Sequence, residues 1–367
     1  MPDAVIASRS SKTAPAAAPR PSYAPRRTAG ILIAGALALA SCTQAGAPAV
    51  PSASGSAPSD ALASPASSAP TDGGAYEPVT IENCGDETTY AAPPERAVPM
   101  DQTVTEIMLA LGLQERIVGY ARVHFDRSEP VLPEFQAAYD QLELLAETSP
   151  SREIFLEAEP DFALAAFGFS EDSGLSEEAL EEDGIPTYLV GDQCDGRTEP
   201  VGFEDAFTTL RDVGAIFGLP DRAEALIADM EATLEAVGAE VEGEEPVSVF
   251  VFDSGDDAPF TVGGLGMSNA MIEAAGGENV FADLDDQFVD ANWEQVLERD
   301  PDVIVIMEYF HGDDGEDTDA KRAVLEARLG ETTALREDRV IELPLTGFFV
   351  GVRNADVVEE LAKFLHQ

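Results

Sequence analysis

Basic side chains are scarce in this sequence. Lys and Arg number 21 against 70 Asp and Glu, a formal net charge of −49, and only three of the bases are lysines. A nucleic-acid partner needs clustered Lys and Arg to meet phosphates, so that class is excluded. Three histidines are too few to build a His-rich zinc or manganese trap. There is one tryptophan, Trp293, and there are three cysteines. What is present suffices for folding. A hydrophobic content of 44% supplies a core, and 367 residues allow two domains. The acidity reads as a solubility or high-salt adaptation and carries no information about fold.

The N-terminus reads as an address. Residues 1–28 hold Arg9, Lys12, Arg20, Arg26 and Arg27, and an apolar run of twelve residues follows at 29–40. Spanning a bilayer takes about 20 residues, so this run suits the core of a signal peptide instead. It ends Leu39-Ala40-Ser41-Cys42, and small residues before a cysteine resemble the lipobox of bacterial lipoproteins. The expectation is a leader at 1–41 and lipid on Cys42. The residues after Arg26-Arg27 fit a twin-arginine signal poorly. Cleavage takes away Asp3 and five bases, leaving 69 acids and 16 bases, a net −53. Residues 42–75 are rich in Ala, Ser, Pro and Gly and read as a disordered tether. With Cys42 lipidated, Cys84 and Cys194 remain in an oxidising compartment. A disulfide between them is expected, the alternative being two separate buried thiols.

From Tyr76 onward the pattern is globular. Segments 96–100, 116–121, 161–167 and 186–190 read as strands, with a helix at 103–113 that aligns Val104, Ile107, Met108 and Leu111. Helices follow at 204–217 and 221–241, the second roughly 30 Å long. The alternation then resumes with strands at 247–253, 303–308 and 339–343 and a last helix at 354–365. Such alternation argues for parallel sheets with helices on their faces. An internal echo supports two related halves. Glu153-Ile154-Phe155-Leu156 leads to Pro160-Asp161 and an apolar strand, and Glu294-Gln295-Val296-Leu297 leads to Pro301-Asp302 and another.

These segments, with Pro94-Glu95-Arg96, Thr105-Glu106, Ala110-Leu111-Gly112 and Gly276-Gly277-Glu278-Asn279-Val280-Phe281, resemble the ferric-siderophore and cobalamin class of substrate-binding proteins of ABC importers. The resemblance covers about residues 77–367. It implies an α/β fold of two Rossmann-like lobes joined by a single long helix, with a cleft between them. The expected boundaries are 76–218 and 244–367 for the lobes and 219–243 for the helix. Some similar sequences share the Glu82-Asn83-Cys84-Gly85 opening and the Gly351-Val352-Arg353-Asn354 ending, and these have been linked to a deazaflavin precursor.

Ligands of open α/β sheets sit beyond the carboxyl ends of the strands. The candidates are therefore Asp101, Gln102, Tyr120, Arg122, Phe167 and Phe169 in the first lobe, and Asp253, Ser254, Glu308, Tyr309 and His311 in the second. Phe288 falls where the resemblance places a ligand-facing aromatic. Aromatic walls suit a flat, partly apolar chelate or corrin, and arginines suit its oxygens. Arg353 and Phe348 join the set on this ground. Phe348 and Phe349 are adjacent, so one of the two points inward. Acids at the cleft, Asp253, Asp256, Asp257 and Glu308, would repel an anionic chelate and leave a neutral or cationic one open. Gly263-Gly264-Leu265-Gly266 lacks the Lys-Ser/Thr of a phosphate loop, so nucleotide hydrolysis is rejected. Glu153 and Glu294 match the positions at which the resemblance implies docking on a permease dimer.

The expected function is capture of a ferric siderophore or related bulky chelate outside the cell membrane, by a monomer held through lipid at Cys42, and delivery to the permease. Cobalamin, haem, a deazaflavin precursor or a surface sensor role are the alternatives. No cofactor, metal site or catalysis is expected: Ser254 has no obvious histidine partner, and His124 and His311 fall in different lobes.

Overall fold

The computed structural model describes residues 76–122, 129–169, 173–194, 197–309 and 318–367. The expected leader, Cys42, the tether, His124 and His311 fall outside these.

The described residues open with an antiparallel hairpin of β1 (Val79–Asn83) and β2 (Asp86–Tyr90), which the sequence reading missed. Its turn has both Cys84 and Gly85 at positive φ, 52° and 92°. Then come β3 (Ala97–Pro99), α1 (Gln102–Ala110), β4 (Tyr120–Ala121), α2 (Gln136–Tyr139), β5 (Leu144–Ala146), α3 (Arg152–Glu157), β6 (Phe162–Ala165), α4 (Glu177–Glu182) and β7 (Thr187–Leu189). Strands β3, β6 and β7 form a parallel sheet in that order. The parallel pair β4 and β5 continues it beyond β3 through a bridge between Ala97 and Ile117. The strand expected at 116–121 is thus shorter than its apolar pattern. Residues Gln114–Arg116 form a 3-10 turn, and only Ile117 and Tyr120–Ala121 pair.

Helices α5 (Phe203–Ile216) and α6 (Pro220–Glu240) cross to the second half. Gly218, at φ 71°, ends the first, and Pro220 opens the second, where its missing N–H has no helical partner to lose. In α6, Ala223, Ile227, Met230 and Val237 are buried, and this stripe packs α6 against α5 and α11 (Asn354–Leu365).

The second half contains β8 (Val247–Phe252), β9 (Phe260–Val262), α7 (Met267–Ala274), β10 (Gly277–Asn279), β11 (Phe288–Asp290), α8 (Trp293–Arg299), β12 (Val303–Glu308), α9 (Thr318–Leu329), α10 (Thr333–Arg336), β13 (Val340–Pro344) and α11. Its parallel sheet runs β10-β8-β12-β13, and β9 pairs antiparallel with β11. The run Phe162–Ala165 is wholly buried, as is Val303–Met307 within β12, which fits central parallel strands covered on both faces. The fold is therefore α/β: two lobes on parallel sheets, joined by the long helix α6, with a cleft between them.

The sequence echo has a physical basis. Asp161 accepts from the backbone N–H groups of Glu95 and Arg96 at 2.9 and 2.8 Å, pinning the start of β6 to the start of β3. Asp302 accepts from the backbone N–H and the hydroxyl of Ser248 at 3.2 and 2.7 Å, pinning β12 to β8. In each lobe the Pro ends a helix and the Asp after it registers the two central strands.

Candidate functional site

The loops after the strand carboxyl ends of the two lobes meet. Phe167, after β6, packs edge-on against Phe349, after β13, with ring centroids 4.4 Å apart. Phe349 also lies 5.9 Å from Phe288, which stacks on Phe260 at 5.7 Å. These rings pack in series across the two lobes, and the ring that crosses is Phe349 in place of the expected Phe348. Phe348 is buried in the 3-10 turn Leu345–Phe348. Adjacent residues point apart, so one of the two had to turn away.

Beside this wall the lobes are joined by a buried charge cluster. Arg353 grips Glu106 bidentately, Nε to Oε2 at 2.7 Å and Nη2 to Oε1 at 2.6 Å, and its Nη1 lies 3.0 Å from Glu129 Oε1. Nη2 also donates to the Pro130 carbonyl at 2.8 Å. The Thr346 hydroxyl and backbone N–H both bond Glu129 across the lobes. Gln102 sits in the same cluster; with its amide oriented to satisfy both ends, it accepts from Arg353 and donates to the Glu129 carbonyl. Burial pushes the Glu129 carboxyl up to about 7, against the pull of Arg353 and Thr346 and with help from Glu106. Two carboxylates share one guanidinium in a buried site, and Glu129 is the one whose proton is held more firmly. Arg353, expected to face a ligand, is here bound to protein groups. So is Asp101, whose carboxylate oxygens accept from Val104 N–H at 3.1 Å and Ala166 N–H at 2.7 Å.

Two cavities flank these contacts. A small one of about 260 Å³ is lined by Tyr120, Arg122, Glu129 and Tyr139. Here Tyr120 and Tyr139 pack at 4.8 Å, and Arg122 pairs with Glu147 at 3.3 Å and reaches the Tyr139 hydroxyl at 3.4 Å. The larger, about 730 Å³, opens between the lobes. Its walls are the segment after β7, with Cys194 and Arg197, and the segment before β11, ending in Phe288. The disulfide Cys84–Cys194 and two bonds between the Asn83 amide and the Leu189 backbone, each 2.8 Å, tie the β1–β2 hairpin to this rim.

Tyr309 lies beyond β12 and is buried. Its hydroxyl donates to Asp253 at 2.9 Å, and the Lys321 ammonium sits 3.8 Å from its ring centroid while donating to the Met307 carbonyl. Glu153 and Glu294 are exposed in the first turns of α3 and α8, behind the N-caps Ser151 and Asn292. The same two helices carry Ile154 and Leu297, the exposed large apolar side chains among the described residues.

The sequence reading missed Phe260, Glu129, Thr346, Tyr139 and Arg197. Of the buried cluster, Gln102 and Arg353 were expected at the cleft, and Glu106 lies in a helix whose every residue is buried. Among the described residues no group of three His, Cys, Asp or Glu side chains is placed to hold a metal ion, and no helix is long and apolar enough to cross a membrane.

The sequence profile of a family described as periplasmic binding protein matches residues 98–345. An uncharacterized ABC transporter substrate-binding lipoprotein, YvrC of Bacillus subtilis, is 25% identical over 296 residues, 79% of this chain and 86% of that one. A vitamin B12-binding protein of Vibrio parahaemolyticus is 23% identical over 223 residues, 61% of this chain and 74% of that one. Among solved structures, one from an ABC-type Fe3+-hydroxamate transport system of Saccharomonospora viridis superposes with a TM-score of 0.68 at 28% identity, covering 79% of this chain and 100% of that one.

Proposed function

The chain belongs to the periplasmic binding protein family, and from that premise we propose that it captures a ferric hydroxamate or a related bulky ferric chelate outside the membrane. It is a substrate-binding protein of an ABC importer and not an enzyme, so its task is to hold a small molecule and hand it to a permease. The observation that carries the ligand reading is the 730 Å³ cavity between the lobes, with Phe288 on its wall and Phe349 and then Phe167 packed in series next to that ring. That volume falls in the usual range for small-molecule sites, and apolar rings suit the hydrocarbon skin of a chelate whose charge is held at its centre. The Fe3+-hydroxamate assignment of the Saccharomonospora relative points the same way. The Vibrio relative's name makes cobalamin the second reading; haem and a deazaflavin precursor stand behind it.

In this reading residues 76–218 and 244–367 are the lobes and 219–243 the linking helix. The guest meets Phe288 and, on lobe movement, Phe167 and Phe349, while Tyr120 and Arg122 line the smaller cavity and Tyr309 is held by Asp253. Lipid on Cys42 holds a monomeric protein at the membrane, and Glu153 and Glu294 dock on arginines of the permease dimer. Their matched placement on α3 and α8, each beside an exposed apolar residue, supports that last role.

Titration with ferric hydroxamates, cobalamin and haem, read by absorbance and by quenching of Trp293, tests the ligand. Quenching by a ferric hydroxamate at micromolar concentration is expected. A response to cobalamin or haem alone would replace the reading. Reversing both docking charges, Glu153→Lys with Glu294→Lys, should slow association with the permease while ligand binding is retained, because charged rim contacts act mainly on encounter rate. An unchanged association rate would remove the docking role.

A further inference from the structure

The larger cavity has a charge pattern of its own. Arg197 is the one cation on its wall among the described residues. A guanidinium has five N–H donors, and four hydrogen bonds and an ion pair hold this one within the protein. Nε donates to the Glu199 carbonyl at 3.1 Å and Nη1 to the Gly191 carbonyl at 3.3 Å, and Nη1 lies 2.8 Å from Asp205 Oδ1 in an ion pair. Nη2 donates to the Pro200 carbonyl and to Asp205 Oδ2, both at 3.1 Å. An anionic ligand would have to break one of these bonds to gain another. Of the two arginines expected at the cleft, Arg353 is enclosed by Glu106 and Glu129, and Arg122 lines the smaller cavity, paired with Glu147.

Three carboxylates lie on the same wall: Glu199 from the first lobe, and Asp285 and Asp286 from the second. All three are exposed, and among the described residues none forms an ion pair. The cavity therefore has an aromatic side, at Phe288, and an acidic rim contributed by both lobes. Ferric iron bound by three hydroxamates is neutral, so the net charge of such a chelate lies on its periphery, where rim carboxylates would meet it.

We propose that the interlobe cavity selects for a ferric hydroxamate carrying a peripheral cation and discriminates against anionic chelates. This rests on the ferric-chelate reading given above. A carboxylate acting on a unit charge across about 7 Å of water changes affinity by about threefold. Three of them, at low ionic strength, separate successive ligand charges by about tenfold, and molar salt removes most of that.

The test uses the full-length chain in detergent and three probes that share one iron centre. These are a linear ferric trihydroxamate with a terminal ammonium, its N-acetyl derivative, which is neutral, and its N-succinyl derivative, which is anionic. Affinity by calorimetry should fall in that order by about tenfold per step at ~10 mM salt and converge near 1 M. Equal affinities, or a preference for the succinyl probe, would overturn the charge selection while leaving the ferric-chelate reading standing. Failure of all three to bind would bring down both. The variant Glu199→Gln, Asp285→Asn, Asp286→Asn alters only exposed side chains. It should narrow the gap between cationic and anionic probes, and an unchanged gap would also overturn the proposal.

Discussion

Glu129 shows how much a single buried side chain can add to a two-lobed protein. Its carboxyl titrates at about 7, whereas 4.5 is ordinary for the unfolded chain, because burial penalises the anion more than Arg353 favours it. The folded state thus holds a proton that the unfolded chain releases between those values. The contribution of this group to stability is complete below about pH 4.5 and is lost as pH rises through about 7. Glu129→Gln removes that dependence. Urea midpoints of the native protein should fall more steeply than those of the variant between pH 4.5 and 7; parallel curves would refute the assignment. None of this was readable from residue order. Glu129 and Thr346 are 217 positions apart, and neither stands in a pattern that announces a partner.

At the scale of elements, the paired Pro-Asp corners do the same work in both lobes. Replacing Asp161 by Ala strands the N–H groups of Glu95 and Arg96, and replacing Asp302 leaves the N–H and hydroxyl of Ser248 without that acceptor. Each change should lower stability by about 1–2 kcal/mol. The effects should add within about 0.5 kcal/mol, since the sites share no partner. Denaturant titration of the two single variants and the double variant checks this, and a loss under about 0.3 kcal/mol would mean that the corners do not register the strands. The elements most legible in the sequence were those with a long period or a long apolar run. Strand β12 and helix α11 fall at the expected residues, 303–308 and 354–365. The short pieces were not legible. β9, β10 and β11 have three residues each, too few to display an alternation, and they exist because neighbouring strands supply their partners.

For the whole molecule, the Cys84–Cys194 bond closes a separation of 110 residues and fastens the first hairpin to the edge of the sheet beside the cavity. Reduction, or Cys84→Ser with Cys194→Ser, should lower stability by about 2–5 kcal/mol, chiefly by freeing the unfolded chain. Calorimetric melting with and without reductant measures it. A melting temperature unmoved by the double substitution would show that the Asn83 bonds to Leu189 hold the rim unaided. The Asn83 side-chain amide also pairs with both backbone groups of Leu189 in the edge strand β7, which would otherwise be open to another chain.

The sequence by itself determined the α/β class and the pairing of two similar halves, while the single helix joining two lobes is what the resemblance to binding proteins of ABC importers implied. The class and the pairing follow from local periodicity and from the repeated Pro-Asp corners, which do not depend on distant contacts. Only the tertiary structure decided which of two adjacent phenylalanines crosses the cleft, and that Arg353 is enclosed by Glu106 and Glu129. It alone also places the uncompensated carboxylates of both lobes around a single cavity. Those outcomes depend on which side chains from remote segments share a desolvated space, and burial sets their energies only once the two lobes have met.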